Sequence, residues 1–160
     1  MKRILGIDPG LLHTGWAIIE STGNTRQYIA SGVIKPPAKS LLPERLAIIF
    51  SDIDKICKDY SPDECCIEIT FVNKNPTTTL LLGHARAAAM VAVGTNKIPI
   101  YEYEPTMIKK SITASGRADK AQVATMLKIL LPDAKPKTDD ESDAIATALA
   151  HSNMNRFAIH

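Results

Sequence analysis

The 160-residue sequence predicts a mixed α/β fold, one sheet with helices on both faces, from three observations. Strand-like apolar runs separated by turn residues fill the first third. Helical periodicity takes over from residue 43. Two further short apolar runs, ending near Glu68 and Tyr101, interrupt the helices. Strands that begin as a meander and then alternate with helices build a single mixed layer, here of five strands.

The elements follow in order. A strand is expected over 3–7, where the apolar run Ile4-Leu5-Gly6-Ile7 is stopped at once by Pro9-Gly10, so Asp8 stands at a strand end. Strands are expected over 14–20 and 26–34, on either side of the turn Ser21-Thr22-Gly23-Asn24, and Trp16 on the first of them reads as core. After the proline-rich loop 35–40, Pro43 opens a helix on which Leu46, Ile49, Phe50, Ile53, Ile56, Cys57 and Tyr60 recur at helical spacing. Cys65-Cys66-Ile67 forms another short strand, again ended by an acid, Glu68. Residues 73–76 are a polar break, and 78–93 a long helix. Its small residues Gly83, Ala85, Ala87, Ala88 and Ala89 permit close approach and suit a two-fold dimer contact. A strand over 98–101, a helix over 105–112, a loop over 113–117 and a helix over 118–131 come next. A lysine-rich loop then leads to a last helix from Asp139.

An apolar content of 45% supports one domain, expected over 1–152 with a tail over 153–160. No stretch approaches ~18 apolar residues, and the N-terminus reaches Asp8 before any signal-peptide core could form. A cytoplasmic protein with no membrane partner is therefore expected. Cys57, Cys65 and Cys66 have no metal spacing and read as small hydrophobes, the last two on opposite faces of a strand. Net charge is only +2, but it is unevenly spread. Lys109, Lys110, Arg117, Lys120, Lys128, Lys135 and Lys137 outnumber the acids between 104 and 137, and an acidic cluster begins at Asp139. A basic segment beside an acidic pocket suits a metal-dependent nuclease, which attracts phosphate outside and holds metal within.

Asp8, Glu68, Asp140 and Asp143 are the acids that could share that pocket. Asp140 and Asp143 are three apart and lie on one helical face. Singly, each has a plainer role as a surface charge, and Asp139 or Asp140 could simply cap the last helix. Gathered together, carboxylates need a neutralising cation, and hard oxygen donors suit Mg²⁺ or Mn²⁺. His13, His84 and His151 show no metal spacing.

Gly6-Ile7-Asp8-Pro9-Gly10 followed by Thr14-Gly15-Trp16 resembles the opening hairpin of the ribonuclease H-like superfamily, and specifically of the RuvC family of Holliday junction resolvases. Ile67-Glu68-Ile69-Thr70-Phe71 is similar to the family's second acidic strand, and Lys74-Asn75 with Gly83-His84-Ala85-Arg86 to its long helix. Ile108-Lys109 and Asp119-Lys120 are similar to its basic positions, and Asp140 to Ala144 to its last acidic pair. The resemblance implies a ribonuclease H-like fold and a homodimer that nicks two opposing strands of a four-way DNA junction in recombination and repair. It also implies two divalent ions per site, Mg²⁺ with Mn²⁺ as substitute, and a branch-migration helicase complex as a further partner. Carried over by position, Asp8, Glu68, Asp140 and Asp143 are catalytic metal ligands, with Asp8 bridging the ions. Phe71, Lys74, Asn75, Arg86, Lys109, Lys110, Arg117 and Lys120 meet DNA, Phe71 as a wedge stacked on an unpaired base. This chain departs from the family at Leu12 and Ile69, where relatives often carry polar or basic residues. The rival readings are a ribosomal-RNA-processing nuclease of the same superfamily, a non-catalytic junction-binding module, and an actin-like ATPase, which needs a second phosphate loop that the sequence lacks.

Overall fold

The computed structural model describes residues 1–69 and 75–154. Strand β1 (Lys2–Asp8) is central; β2 (Thr14–Thr22) and β3 (Thr25–Ile34) follow it as antiparallel neighbours on one side. On the other side β4 (Glu64–Glu68) and β5 (Ile100–Tyr103) run parallel to β1, which gives a five-stranded sheet in the order β3-β2-β1-β4-β5. The expected fold class is thus the observed one.

Alternation along the strands divides the apolar side chains between two cores. Leu5, Ile7, Ile18, Cys65 and Ile67 pack against α1 (Leu42–Tyr60) and α2 (Pro76–Thr95). Ile4, Ala17, Ile19 and Cys66 pack against α3 (Pro105–Thr113), α4 (Lys120–Leu130) and α5 (Asp139–Met154). Cys65 and Cys66 do lie on opposite faces, both fully buried, and burial pushes their thiols well above the ordinary value. Among the described residues no helix is long and apolar enough to cross a membrane.

Three elements start two residues away from the expected position, each for a local reason. Helix α2 begins at Pro76, two residues before the expected start. The Asn75 side chain accepts from the Thr77 and Thr78 amides at 3.0 and 3.3 Å, and proline at the first position needs no amide partner. Strand β5 begins at Ile100, because Lys97 takes a left-handed conformation (φ 57°) and the ladder opens only where Cys65 N–H meets the Pro99 carbonyl. Helix α4 begins at Lys120, where Asp119 and Gln122 form a reciprocal cap.

A buried polar chain pins α5 to the sheet. Tyr103 Oη lies 2.7 Å from His151 Nδ1, His151 Nε2 lies 2.9 Å from Glu64 Oε2, and Lys2 Nζ donates to the other Glu64 oxygen at 2.5 Å. Burial holds the imidazole below its usual pKa. It would raise that of Glu64, but hydrogen bonds from Lys2 and His151 outweigh it and leave the carboxyl below its usual value. His151 is fully buried with both ring nitrogens engaged, so its role is structural.

Candidate active site

Asp8 and Glu68 are the last residues of two adjacent parallel strands, in register at Ile7 and Ile67, so both carboxylates leave the sheet at the same edge. Helix α5 brings the other two acids to that edge, and it can do so because of two glycines. A Cβ on Gly6 would stand 2.3 Å from the Ala144 carbonyl oxygen, and one on Gly15 would stand 2.1 Å from that of Asp140. Only bare backbone lets the helix lie this close to β1 and β2. The helix is capped by Thr138, whose hydroxyl accepts from the Glu141 amide at 3.2 Å. The capping role open to Asp139 or Asp140 thus goes to a neutral residue.

The loop after Asp8 is tightly tied. Thr14 Oγ1 donates to the Gly10 carbonyl at 2.6 Å and accepts from the Gly10 amide at 3.3 Å, while Arg45 Nη2 donates to the Leu11 carbonyl at 2.8 Å. This places His13 Nδ1 3.7 Å from Asp140 Oδ2. Sequence spacing gave no sign of that contact, since it depends on how loop and helix meet.

Crowded acids in a partly dry pocket raise one another's pKa. Burial pushes Asp8 up to about 7, and the charges of Asp143, Glu68 and Asp140 push in the same direction. Glu68 and Asp143 are raised too, again chiefly by burial. The opposing charge is Lys120, whose Nζ lies 3.5 Å from Asp139 Oδ2 and 3.6 Å from Asp143 Oδ2. Asp143 holds that ammonium above the ordinary lysine value. Beside the acids is a cavity of about 210 Å³, whose lining includes Glu68, Asp143, Lys109 and Lys120.

Among the described residues no three acid, histidine or cysteine side chains already converge as ligands of one ion. The donor set nevertheless fits a hard divalent cation. Four carboxylates share one edge of the sheet, three of them are poorly hydrated, and their protonation falls away once a cation balances them.

The expected DNA-contacting residues divide into groups. Lys109 and Lys120 line the acidic cavity. Arg117 is exposed in the α3–α4 loop, and Lys110 is exposed on α3 beside Met107 and Asn153, away from the acids. Asn75 caps α2, and Arg86 forms an ion pair with Glu102 of β5. Phe71 and Lys74 lie outside the described residues.

The model of the family described as crossover junction endodeoxyribonuclease RuvC matches residues 4–151. The chain belongs to that family. Its relatives include the crossover junction endodeoxyribonucleases of Azorhizobium caulinodans, 43% identical over 153 residues (96% of this chain, 90% of the relative), and of a Rhodopseudomonas palustris strain, 48% identical over 157 residues (98% and 90%). The fold agrees with that of T. thermophilus RuvC, solved in complex with a Holliday junction substrate: TM-score 0.92 at 25% identity, over 98% of this chain and 96% of that one. Glycines that seat α5 on the sheet are thus built into the same short stretch, 6–15, that carries Asp8 and the opening motif.

Proposed function

We propose that this chain is a crossover junction endodeoxyribonuclease that nicks opposing strands of a four-way DNA junction, with Mg²⁺ as the working metal and two ions per site. The observation that carries this reading is the gathering of Asp8, Glu68, Asp140 and Asp143 at one sheet edge, with Asp8 raised to about 7 and two lysines in the lining of the adjoining cavity. Divalent cations bound there supply an activated water and offset charge on the phosphoryl oxygens. Asp8, Glu68, Asp140 and Asp143 would hold them. Lys120, with its Nζ 3.5 Å from Asp139 Oδ2 and 3.6 Å from Asp143 Oδ2, would supply positive charge to a phosphate held beside those acids. Lys109, in the lining of the same cavity, would add a second positive charge where negative charge builds. The direct test is incubation with a synthetic four-way junction and Mg²⁺ beside a linear duplex of the same sequence. Paired nicks confined to the junction are expected, and equal cutting of the duplex would overturn the reading.

Metal binding at such a site displaces a proton from Asp8. The apparent affinity for Mg²⁺ should therefore rise by up to about tenfold per pH unit below about pH 7 and level off above it. Calorimetric titration of the metal in buffers of different ionisation enthalpy reads the released proton directly. An affinity flat from pH 5.5 to 8 would contradict the assignment.

The working unit in this proposal is a two-fold dimer, matched to the symmetry of paired cuts. On α2, Leu80 and Val91 are 63% and 55% exposed. Gly83, Ala87 and Gly94 are exposed between and beyond them at helical spacing, and both glycines have open space above them. Ala85 and Ala89, by contrast, are spent on the chain's own core. Ala87→Arg is expected to leave the melting temperature nearly unchanged and shift the protein to monomer in sedimentation at micromolar concentration. A variant that stays dimeric would move the interface elsewhere. A branch-migration helicase complex as partner is proposed on family membership alone.

Phe71 is proposed as the residue that stacks on a base at the crossover. Since such stacking contributes ~1–3 kcal/mol per base, Phe71→Ala should slow junction cleavage roughly tenfold to a hundredfold with little change in melting temperature. A drop in stability on the scale of ~3–5 kcal/mol would instead mark a core phenylalanine.

A further inference from the structure

Between Asp140 and Asp143 stands another acid, Glu141, which does not line the acidic cavity. It is only 8% exposed. Its Oε2 accepts from the Ser31 hydroxyl of β3 at 3.0 Å and from the Lys137 backbone N–H at 3.4 Å, while its own amide donates to Thr138 Oγ1 at 3.2 Å. The Tyr28 hydroxyl lies 3.0 Å from Ser31 Oγ. A serine has one proton to give, and here it goes to the carboxylate, so Tyr28 is the donor and the chain runs from Tyr28 through Ser31 to Glu141.

Both donors to the carboxylate are neutral groups. A carboxylate buried against neutral donors gains little net stability, because desolvation offsets its hydrogen bonds. Such bonds instead select one arrangement of the parts they join. The parts here are β3 and the first turn of α5. Gly15 sets how closely that helix lies on β2, but a bare Cα fixes no angle about the helix axis. Ser31 stands one strand further out, paired with Ala17, and its bond to Glu141 does fix that angle. Side chains reach ~5–6 Å from a helix axis, so a roll of about 10° carries a carboxylate by about 1 Å. Displacement on that scale costs about a hundredfold in rate. Asp140 precedes Glu141 by one residue and Asp143 follows it by two, so a roll set at Glu141 passes to both within a single turn.

We propose that Glu141 is a positioning residue for the nuclease reaction: by joining β3 to the first turn of α5 it fixes the roll of that helix, and with it the placement of Asp140 and Asp143 against Asp8 and Glu68. The proposal rests on the nuclease reading, and its test separates the two.

Glu141→Ala, Glu141→Gln, Ser31→Ala and the double variant Glu141→Ala with Ser31→Ala are compared with the wild type, all well below their melting temperatures. Three quantities are read: melting by circular dichroism, Mg²⁺ affinity by calorimetry, and single-turnover cleavage of a four-way junction at saturating Mg²⁺. Glu141→Ala and Ser31→Ala are each expected to weaken Mg²⁺ binding by about tenfold or more and to slow cleavage by about a hundredfold. Ser31→Ala leaves the carboxylate in place and changes no charge, so it carries the test even if Glu141→Ala folds poorly. The double variant should be no worse than Glu141→Ala, because both changes cut the same link. Glu141→Gln keeps an acceptor oxygen without the charge and should restore most of both properties. Variants that melt lower yet bind Mg²⁺ and cleave as the wild type does would make the link merely structural and overturn the proposal. So would a Glu141→Gln as damaged as Glu141→Ala, which would trace the effect to charge, or losses that multiply in the double variant. A wild type that neither binds Mg²⁺ nor cuts the junction removes the nuclease reading, and the positioning role with it.

Discussion

Asp8→Asn is expected to abolish cleavage of a four-way junction in Mg²⁺, by about a thousandfold or more, a loss of ~4 kcal/mol of transition-state stabilisation. The same change should make the metal-free protein more stable. In the folded chain the Asp8 pKa stands at about 7 against an ordinary 3.8, so the folded state prefers the protonated form. The stability that this preference contributes is fully present below about pH 4 and is lost as pH rises through about 7. At pH 8 the wild-type carboxylate is ionised among Asp143, Glu68 and Asp140, a penalty that asparagine does not carry. At ~1.4 kcal/mol per pKa unit, three units set an upper bound of about 4 kcal/mol, and local relaxation lowers it. With ~2–4 °C per kcal/mol for a chain of this size, a rise of roughly 4–8 °C in melting temperature is expected at pH 8, shrinking toward zero at about pH 4. Junction binding should survive, because phosphate contacts from basic residues supply it. Residual nicking near the wild-type rate, or an unchanged melting temperature at pH 8, would exclude the role given to Asp8.

Gly15→Ala is the second large effect, at a residue with no chemistry of its own. Its new methyl would stand 2.1 Å from the Asp140 carbonyl oxygen, well inside any contact that real Cβ atoms make. Helix α5 must then retreat by about 1 Å or β2 must bend, and either motion carries Asp140 and Asp143 away from Asp8 and Glu68. Misplacement on this scale costs about a hundredfold in rate, whereas overpacking costs stability by only ~1–3 kcal/mol. The expected variant is folded by circular dichroism, melts several degrees lower, and cleaves junctions at least about a hundredfold more slowly, with a higher Mg²⁺ requirement. Wild-type cleavage would show that α5 is not seated through this contact.

Much of the molecule is written locally. Short apolar runs bounded by turn residues mark β1 and β4, whose two faces are both covered, and the spacing from Leu46 to Tyr60 marks α1, because one buried face imposes its period on the residues that form it. The acids could be found as well: Asp8 and Glu68 each end a short apolar run, and Asp140 and Asp143 share a face at the start of a helix. Other features resisted. Gly6 and Gly15 look like ordinary strand glycines until a helix from the far end of the chain is laid over them. Asn75 looks like part of a polar loop until it is seen to cap α2. Arg86 looks like a free cation until β5 brings Glu102 against it.

By itself, then, the sequence determined which residues form strands and helices and which four acids stand at their ends, since both follow from periodicity and chain punctuation over a few neighbours. Only the tertiary structure decided that these acids meet, that Thr138 and not an aspartate caps α5, that His13 reaches Asp140, and that Asp8 is held near neutrality. Apart from the cap, which Thr138 makes with Glu141 three residues on, those outcomes depend on contacts between distant parts of the chain and on the water excluded where they close. Burial and Coulomb repulsion are properties of assembled surroundings, and no stretch of sequence carries them alone.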